Sequence, residues 1–504
     1  MPKEKKQNLI ERPPIIVVLG HIDHGKTTLL DSIRKTDVVS SESGGITQHI
    51  GAYEIIHNKK KMTFIDTPGH EAFSKMRSRG AKVADIAILI VAADEGLKPQ
   101  TQEAIKHIKE SGIEMIVAIN KIDRPEASIE KVRQQLAEEN ILLEGWGGTI
   151  SNQETSAKTG KGVPELLDLI ELTSEMKELK ADVSLPGEGV VIEVRTDARI
   201  GSIVTLLIKN GTVKTGDFLV AGTSIGKIKN MDNDKGNTTK EASFSSPVQI
   251  TGFDSTPNVG DEFYITKSKK ESEELAKLKK ETELLGVKVS SVDLTGKKII
   301  NILIKADYSG TKEALEKMVE ELIFEDVAAK VTKSDIGGIT ENDIKFARST
   351  NSIIVGFKVS ASRQIKKLAE QHNVKIITAN IIYEIIENIK KELSSLLRPK
   401  IEKKIIGKLQ VLAIFKQDKT KMIAGGKIID GKAQRRSKID VLRKGVLIMT
   451  GSLVQLQHNK EDVTEVSLGK ECGIAFQPSE STKEKIEVSD ILEIYEEEEK
   501  NKTL

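Results

Sequence analysis

The chain of 504 residues has a single cysteine, Cys472, which excludes an internal disulfide and fits a reducing compartment. Charge of one sign is also missing. Its 77 basic and 75 acidic residues leave a net charge of +2, so there is no chain-wide nucleic-acid signature, while local patches stay open. No apolar run approaches the roughly 20 residues a membrane helix requires. The basic amino terminus "MPKEKKQNLIERPP" has no apolar core behind it and does not read as a signal peptide. These absences point to a cytoplasmic chain with no membrane partner. What is present, 38% hydrophobic and 30% charged residues over this length, fits a soluble protein of three to five domains.

Short, nearly continuous apolar runs alternate with helical patterns over residues 14–173. The runs are "IIVVL" (15–19), "MTFID" (62–66), "IAILIVAA" (86–93) and "MIVAIN" (115–120). Such runs belong to strands buried on both faces and predict a doubly wound, mostly parallel sheet with ligands at its carboxyl edge. From about 187 to 265 short β-prone runs alternate with turn formers ("ARIG", "KNGTVKTGD", "MDNDKGN"), which predicts a small antiparallel β-barrel. A charged helical connector follows, "SKKESEELAKLKKETELLG" (268–286). Residues 298–379 return to alternating α/β units without a phosphate loop. In "NIIYEIIENIKKELSSLL" (380–397), Ile382, Ile386, Ile389, Leu393 and Leu396 share one helical face. Eighteen helical residues at about 1.5 Å each would make a rod of roughly 27 Å. Beyond 405, "IIGKLQVLAIF", "KIIDG", "VLIMTGSLVQL" and "ECGIAF" predict a second barrel, and the "YEEEEKNKTL" tail reads as solvated and disordered. The expected divisions are 11–178, 186–266, 267–291, 292–379, 380–402 and 403–499.

Residues 20–27, "GHIDHGKT", fit G-x-x-x-x-G-K-[ST] between a strand and a helix. Gly20 and Gly25 permit the turn. Backbone amides across His21, Ile22, Asp23, His24, Gly25, Lys26, Thr27 and Thr28 can then surround phosphate oxygens at a helix amino terminus. Lys26 would reach the β- and γ-phosphates, and the Thr27 hydroxyl would ligate Mg²⁺. "DTPGH" ends the next strand: Asp66 is placed to approach Mg²⁺ through water, Gly69 can offer its amide to a γ-phosphate, and Thr67 and Pro68 between them are counted with the nucleotide-binding residues. In "NKID" the Asp123 carboxylate can accept two hydrogen bonds from guanine, which adenine cannot supply. Asn120 can bond the base edge and tie the loop together, the Lys121 stem packs on the ring, and Ile122 between them belongs to the same nucleotide-binding segment. "TSAKTG" brings Ser156, the Ala157 backbone and Lys158 to the same base. The ligands implied are GTP or GDP with Mg²⁺.

These four segments resemble those of the translational GTPases. "GGITQHIGAY" (44–53) resembles the first switch of bacterial translation initiation factor two rather than that of the elongation factors. "GTVKTGD", "ITENDIKFARSTNSIIVGF" and "ECGIAF" extend the likeness to nearly the whole chain. The resemblance implies a P-loop GTPase domain, a β-barrel, a small α/β/α domain, a long helix and a carboxyl-terminal β-barrel. It also implies Thr47 closing on Mg²⁺ and the γ-phosphate, His70 orienting the attacking water, and loss of order in 44–53 and 66–80 after hydrolysis. The function implied is GTP-dependent joining of formylmethionyl initiator tRNA and both ribosomal subunits, beside other initiation factors, by a chain monomeric off the ribosome.

The family's long amino-terminal extension is not seen here, and "ARIG" (198–201) replaces its "KGRG"-like turn. In the terminal barrel Gly426 stands for a usual cysteine and Asn459 for an aromatic residue, while Cys472 and Gly473 are kept; these swaps are expected to loosen a methionine pocket. Lys432, Arg435, Arg436 and Lys438 either meet tRNA phosphates or form a solvated face. An elongation-type tRNA-delivery GTPase, an ATP-dependent P-loop enzyme and a non-catalytic GTP-binding scaffold are the rival readings. "GGITQHIGAY" opposes the first, "NKID" and "TSAK" the second, and the full set Lys26, Thr27, Thr47, Asp66 and His70 the third.

Overall fold

The computed structural model describes residues 9–36, 47–197, 199–284, 296–397, 400–418, 421–479 and 484–500. Residues 44–46 of the expected first switch, Ala198 and residues 501–504 lie outside the described residues. The chain forms two compact units, residues 1–390 and 391–504.

The first unit opens with a six-stranded sheet in the order Gly51–His57, Lys60–Asp66, Ile15–Gly20, Ile86–Ala92, Glu114–Asn120 and Asn152–Glu154. All pairings are parallel except that of Gly51–His57 with Lys60–Asp66. Five helices accompany it: α1 (Lys26–Arg34), α2 (Ser74–Val83), α3 (Pro99–Ser111), α4 (Ile129–Glu138) and α5 (Val163–Met176). Leu29 and Leu30 of α1 and Leu166 and Ile170 of α5 cluster with Ile16, Val18, Phe64 and Ile88. Side chains alternate across a sheet, and Gly80 of α2 lies against Val17 and Ile65, so α2 covers the opposite face. Residues on both faces are thus buried, and the strand sequences read as continuous apolar runs for that reason.

The strand Gly51–His57 corrects the expected first switch, whose last three residues are built into the sheet. Asn58 and Lys59 close the hairpin with φ of +47° and +67°, a primed turn without the glycine that usually signals one.

The next strands close a barrel in the order Gly201–Asn210, Pro247–Phe253, Ser224–Asn233, Phe218–Ala221, Glu262–Thr266 and Glu188–Asp197. Ser224–Asn233 absorbs the first three residues of "MDNDKGN", which were expected to turn. The connector is α6 (Lys269–Leu284), packed on the barrel rather than free of it: Ala276 is buried, and the Ser272 and Thr266 hydroxyls lie 2.6 Å apart.

A parallel four-stranded sheet follows, ordered Val327–Ile336, Lys298–Ala306, Ser352–Phe357 and Ile376–Ala379. It is joined by α7 (Ser309–Glu320), α8 (Glu341–Thr350) and α9 (Arg363–Gln371). The strand Val327–Ile336 was not anticipated, because "VAAKVTKSDI" is only half buried and too polar to resemble its neighbours. Then α10 runs Ile382–Ser395, fourteen residues and about 21 Å, shorter than expected, with Leu396 in the turn beyond it. Ile382, Ile385, Ile386 and Ile389 are all buried, so its first half is packed rather than a bare rod.

In the second unit Lys400–Gln417, Ile491–Lys500, Lys438–Arg443, Val446–His458, Glu471–Pro478 and Met422–Gln434 pair in sequence, and the last returns to the first. The ring encloses a core that includes Leu409, Val411, Ile428, Leu456, Cys472, Phe476 and Leu492. The expectation of a disordered "YEEEEK" is overturned, since these residues form the end of a strand. Glu496 and Glu497 stand across from Lys404 and Lys403, Glu498 pairs with Lys404, and Glu497 also pairs with Lys438. Opposite charges across strands give an acidic run a place in a sheet.

Candidate functional site

The strand Ile15–Gly20 ends where the chain must turn sharply. Gly20 has φ +150°, and a Cβ there would lie 2.5 Å from the Ile90 carbonyl oxygen. Gly25 has φ +83°, and its Cβ would meet Asn120 Nδ2 at 2.6 Å. Only glycine satisfies both positions. Between them Ile22–His24 make one tight turn, and α1 starts at Lys26, so the loop amides sit at a helix amino terminus. The Ile22 N–H donates to Gln100 Oε1 at 3.3 Å. His24 is buried, with Nδ1 3.2 Å from the Ile90 carbonyl, and burial pushes its pKa down to about 4. The His21 ring meets it edge-on at 5.1 Å, while Asp23 and Thr28 are exposed.

Lys26 is almost fully buried and donates to the carbonyls of Gly20 (3.0 Å) and His21 (2.6 Å). Burial lowers its pKa to about 8, with Asp66 acting in the opposite sense. Gly69 lies so near that a Cβ on it would be 2.3 Å from Lys26 Nζ. The two segments expected to meet a terminal phosphate therefore adjoin.

The three candidate metal ligands also come together. Thr27 Oγ1 is 2.7 Å from Thr47 Oγ1, which donates to Asp66 Oδ2 at 3.4 Å. Two hydroxyls and a carboxylate form an oxygen donor set suited to a hard divalent cation. Thr67 anchors the loop through its hydroxyl to the Val18 carbonyl at 2.9 Å. The carbonyls of Pro68 and His70 both accept from Arg77 of α2, a fully buried guanidinium that also pairs with Glu103. Sequence reasoning missed Arg77; a lone arginine in "SKMRSRG" looks like any surface helix residue.

His70 is buried, with only 3% of it accessible. Its Nδ1 accepts the Ala72 N–H at 2.9 Å, which assigns the proton to Nε2. Burial lowers its pKa, so the ring is neutral at pH 7. Tyr383 of α10 packs against it with ring centroids 4.4 Å apart, and Phe73 stands at 6.1 Å.

Asn120 Oδ1 accepts from the Ala157 N–H (3.0 Å), and Thr155 lies at 3.4 Å. Asn120 thus ties its own loop to the "TSAK" segment. Ser156 donates to Asp123 Oδ1 at 2.6 Å, which holds that exposed carboxyl below its ordinary pKa. Lys121 adopts φ +64° and reaches Glu95 (3.3 Å) and Asp94 (3.7 Å); Ile122 donates its N–H to the Thr155 carbonyl, and Lys158 is exposed.

Residues beside Thr47 face the small α/β domain, which no local pattern announces. Gln48 donates to the Asn380 carbonyl (3.4 Å), and the His49 ring lies 4.3 Å from that of Tyr308. His49 Nε2 accepts from Lys358 at 3.0 Å, so its 3.3 Å approach to Asp307 is not a hydrogen bond. Burial, with Lys358 adding to it, lowers the His49 pKa to about 3. Behind them Glu193 is buried in the first barrel, accepts from Gly310 N–H at 3.3 Å, and is raised by burial to about 7.

In the terminal barrel Gly426 stands directly across from Cys472. A Cβ on Gly426 would be 2.3 Å from Leu409 Cδ2, so the Leu409 side chain occupies the space beside that glycine. Asn459 has φ +53°, a turn conformation asparagine accepts readily. In the basic cluster Lys432 pairs with Glu465 (2.9 Å), Lys438 with Glu497 (2.5 Å), and Arg435 donates to the Val454 carbonyl.

A doubly wound sheet carrying this phosphate loop, a threonine–aspartate oxygen cluster and an "NKID" loop tied to "TSAK" defines a P-loop GTPase. Residues 11–175 match the elongation factor Tu GTP binding domain, 186–266 elongation factor G domain 2, and 267–390 translation-initiation factor 2. Translation initiation factor IF-2 of Persephonella marina is 44% identical over 97% of this chain and 56% of its own length. That of Geobacillus thermodenitrificans is 43% identical over 97% of this chain and 68% of its own. The structure of GDP-bound aIF5B from Aeropyrum pernix matches with a TM-score of 0.51 and 27% identity, covering 96% of this chain and 92% of that one. The chain belongs to the translation initiation factor IF-2 family.

Proposed function

We propose that the chain binds GTP, promotes placement of formylmethionyl initiator tRNA on the small ribosomal subunit and subunit joining, and hydrolyses GTP on the ribosome. The observation that carries the nucleotide part is the meeting of Thr27, Thr47 and Asp66 beside Lys26 and Gly69. Thr27, Thr47 and Asp66 would hold Mg²⁺, whose contribution when bound is to neutralise charge on the β- and γ-oxygens. Lys26 supplies a buried cation to the same oxygens, where a low dielectric strengthens the attraction. Asp123, kept ionised by Ser156, selects the base through its two acceptor oxygens. His70 is neutral and donates from Nε2, which suits orienting a water rather than removing its proton. The family membership supports the ribosome as the partner, and an α/β sheet after the first barrel favours initiation over elongation-type delivery.

Light scattering with ribosomal subunits and initiator tRNA tests this reading on the full chain. GTP is expected to accelerate joining. His70→Ala is expected to keep GTP binding and lower ribosome-stimulated hydrolysis by about 10²-fold or more. Joining indifferent to GTP would overturn it, and equal retention of formylated and unformylated tRNA would remove the tRNA-reading part.

A further inference from the structure

The group proposed to orient the attacking water is enclosed while the oxygens around it are assembled. Thr27, Thr47 and Asp66 are within 3.4 Å of their neighbours, and Lys26 lies against Gly69. His70 is nevertheless turned into the protein. Its Nδ1 is committed to the Ala72 N–H, Phe73 approaches one side, and Tyr383 stands against the ring at 4.4 Å with an interplanar angle of 62°. Nε2, the nitrogen that carries the proton, is buried without a hydrogen-bond partner among the described residues.

Tyr383 is the second residue of α10. The helix is anchored immediately around it by Ile382, Ile385 and Ile386, each at most 8% exposed, whereas Tyr383 itself is 46% exposed. A tyrosine that keeps nearly half its surface in water yet lays its ring on a histidine adds little to the core. Its position relative to His70 is dictated by the helix backbone, not by the nucleotide-binding domain. A displacement of the α10 amino terminus would carry the ring away, and His70 could then rotate about its side-chain bonds toward the γ-phosphate.

We infer that Tyr383 is a positioning residue that holds His70 in its enclosed orientation, restraining hydrolysis until α10 moves. This rests on the reading of His70 as the water-orienting residue. An edge-to-face ring contact is worth about two- to tenfold in an equilibrium, which is the size of effect to expect.

Single-turnover GTP hydrolysis by the full chain without ribosomes, alongside GTP affinity and thermal melting, tests the inference. Tyr383→Ala should raise the hydrolysis rate about two- to tenfold with affinity unchanged, and Tyr383→Phe, which keeps the ring, should restore the slow rate. In Tyr383→Ala/His70→Ala the gain should vanish. Tyr383→Gln provides a second ring-free variant, should Tyr383→Ala melt early. An unchanged or lower rate in a ring-free variant that binds GTP and melts normally would overturn the inference. A gain that persists without His70 would do the same. The underlying reading fails separately, if the unsubstituted chain binds no GTP or His70→Ala alone leaves ribosome-stimulated hydrolysis intact.

Discussion

Asn120 Nδ2 donates to the His24 carbonyl at 2.9 Å, so the end of a central strand is stitched to the phosphate loop. Its Oδ1 meanwhile accepts from Ala157, so one carboxamide joins the glycine-rich loop to the "TSAK" segment. The two ligand-recognition loops are therefore mechanically continuous, and specificity at one is expected to act on a site already ordered by the other.

Asp123 is proposed to select the base. Asp123→Asn replaces one acceptor oxygen with a donor, which faces the guanine amine unfavourably and a xanthine oxygen favourably. GTP affinity should fall on the order of 10² or more, with xanthosine triphosphate gaining over GTP. Competition binding of the two nucleotides checks it, and unchanged GTP affinity would count against the assignment.

The lowered pKa of Lys26 makes phosphate binding pH-dependent. Free protein keeps the ammonium below about pH 8 and loses it above. A bound phosphate favours the charged form, so the complex takes up a proton there and affinity must drop as pH rises. The fall is up to about tenfold per pH unit above 8, until the pKa in the complex is reached. Isothermal titration from pH 7 to 9.5 in two buffers of different ionisation enthalpy measures both the drop and the proton uptake.

Gly20→Ala tests the phosphate-loop backbone. The new methyl would sit 2.5 Å from a backbone oxygen on an adjacent strand, which cannot rotate away. A loss on the order of 2–4 kcal/mol is expected from urea unfolding, together with weaker nucleotide binding. Full stability would mean the strand end has room that the geometry denies it.

Cys472 is 6% exposed in the terminal barrel, and burial pushes its thiol pKa up to about 11. Alkylation by iodoacetamide at pH 7.5 should be at least about a hundredfold slower than for an unshifted exposed thiol, because the thiolate is the reacting form. Intact-mass spectra over time record the rate.

Three of the segments proposed for the nucleotide site could be placed from the sequence because each begins at the end of a strand whose burial on both faces produces an unbroken apolar run. "IIVVL", "MTFID" and "MIVAIN" locate Gly20, Asp66 and Asn120 with no other information. The strand Gly51–His57 was not legible, since it is an edge strand with mixed burial and its turn uses Asn58 and Lys59 without glycine. "YEEEEK" was misread because a run of like charges looks solvated until opposing lysines are brought beside it.

The amino-acid order alone determined the glycine-rich loop, the "NKID" and "TSAK" loops and the succession of α/β, barrel, α/β and barrel segments, because these depend on spacing and periodicity within short windows. Tertiary structure alone decided that His70 lies under Tyr383, that Arg77 grips the Pro68–His70 carbonyls, and that His49 meets Tyr308 and Lys358. In the His70–Tyr383 and His49–Tyr308 pairs, residues hundreds of positions apart touch because loops of the first α/β domain meet the starts of helices that follow the barrel. No local periodicity encodes which surface residue will face another.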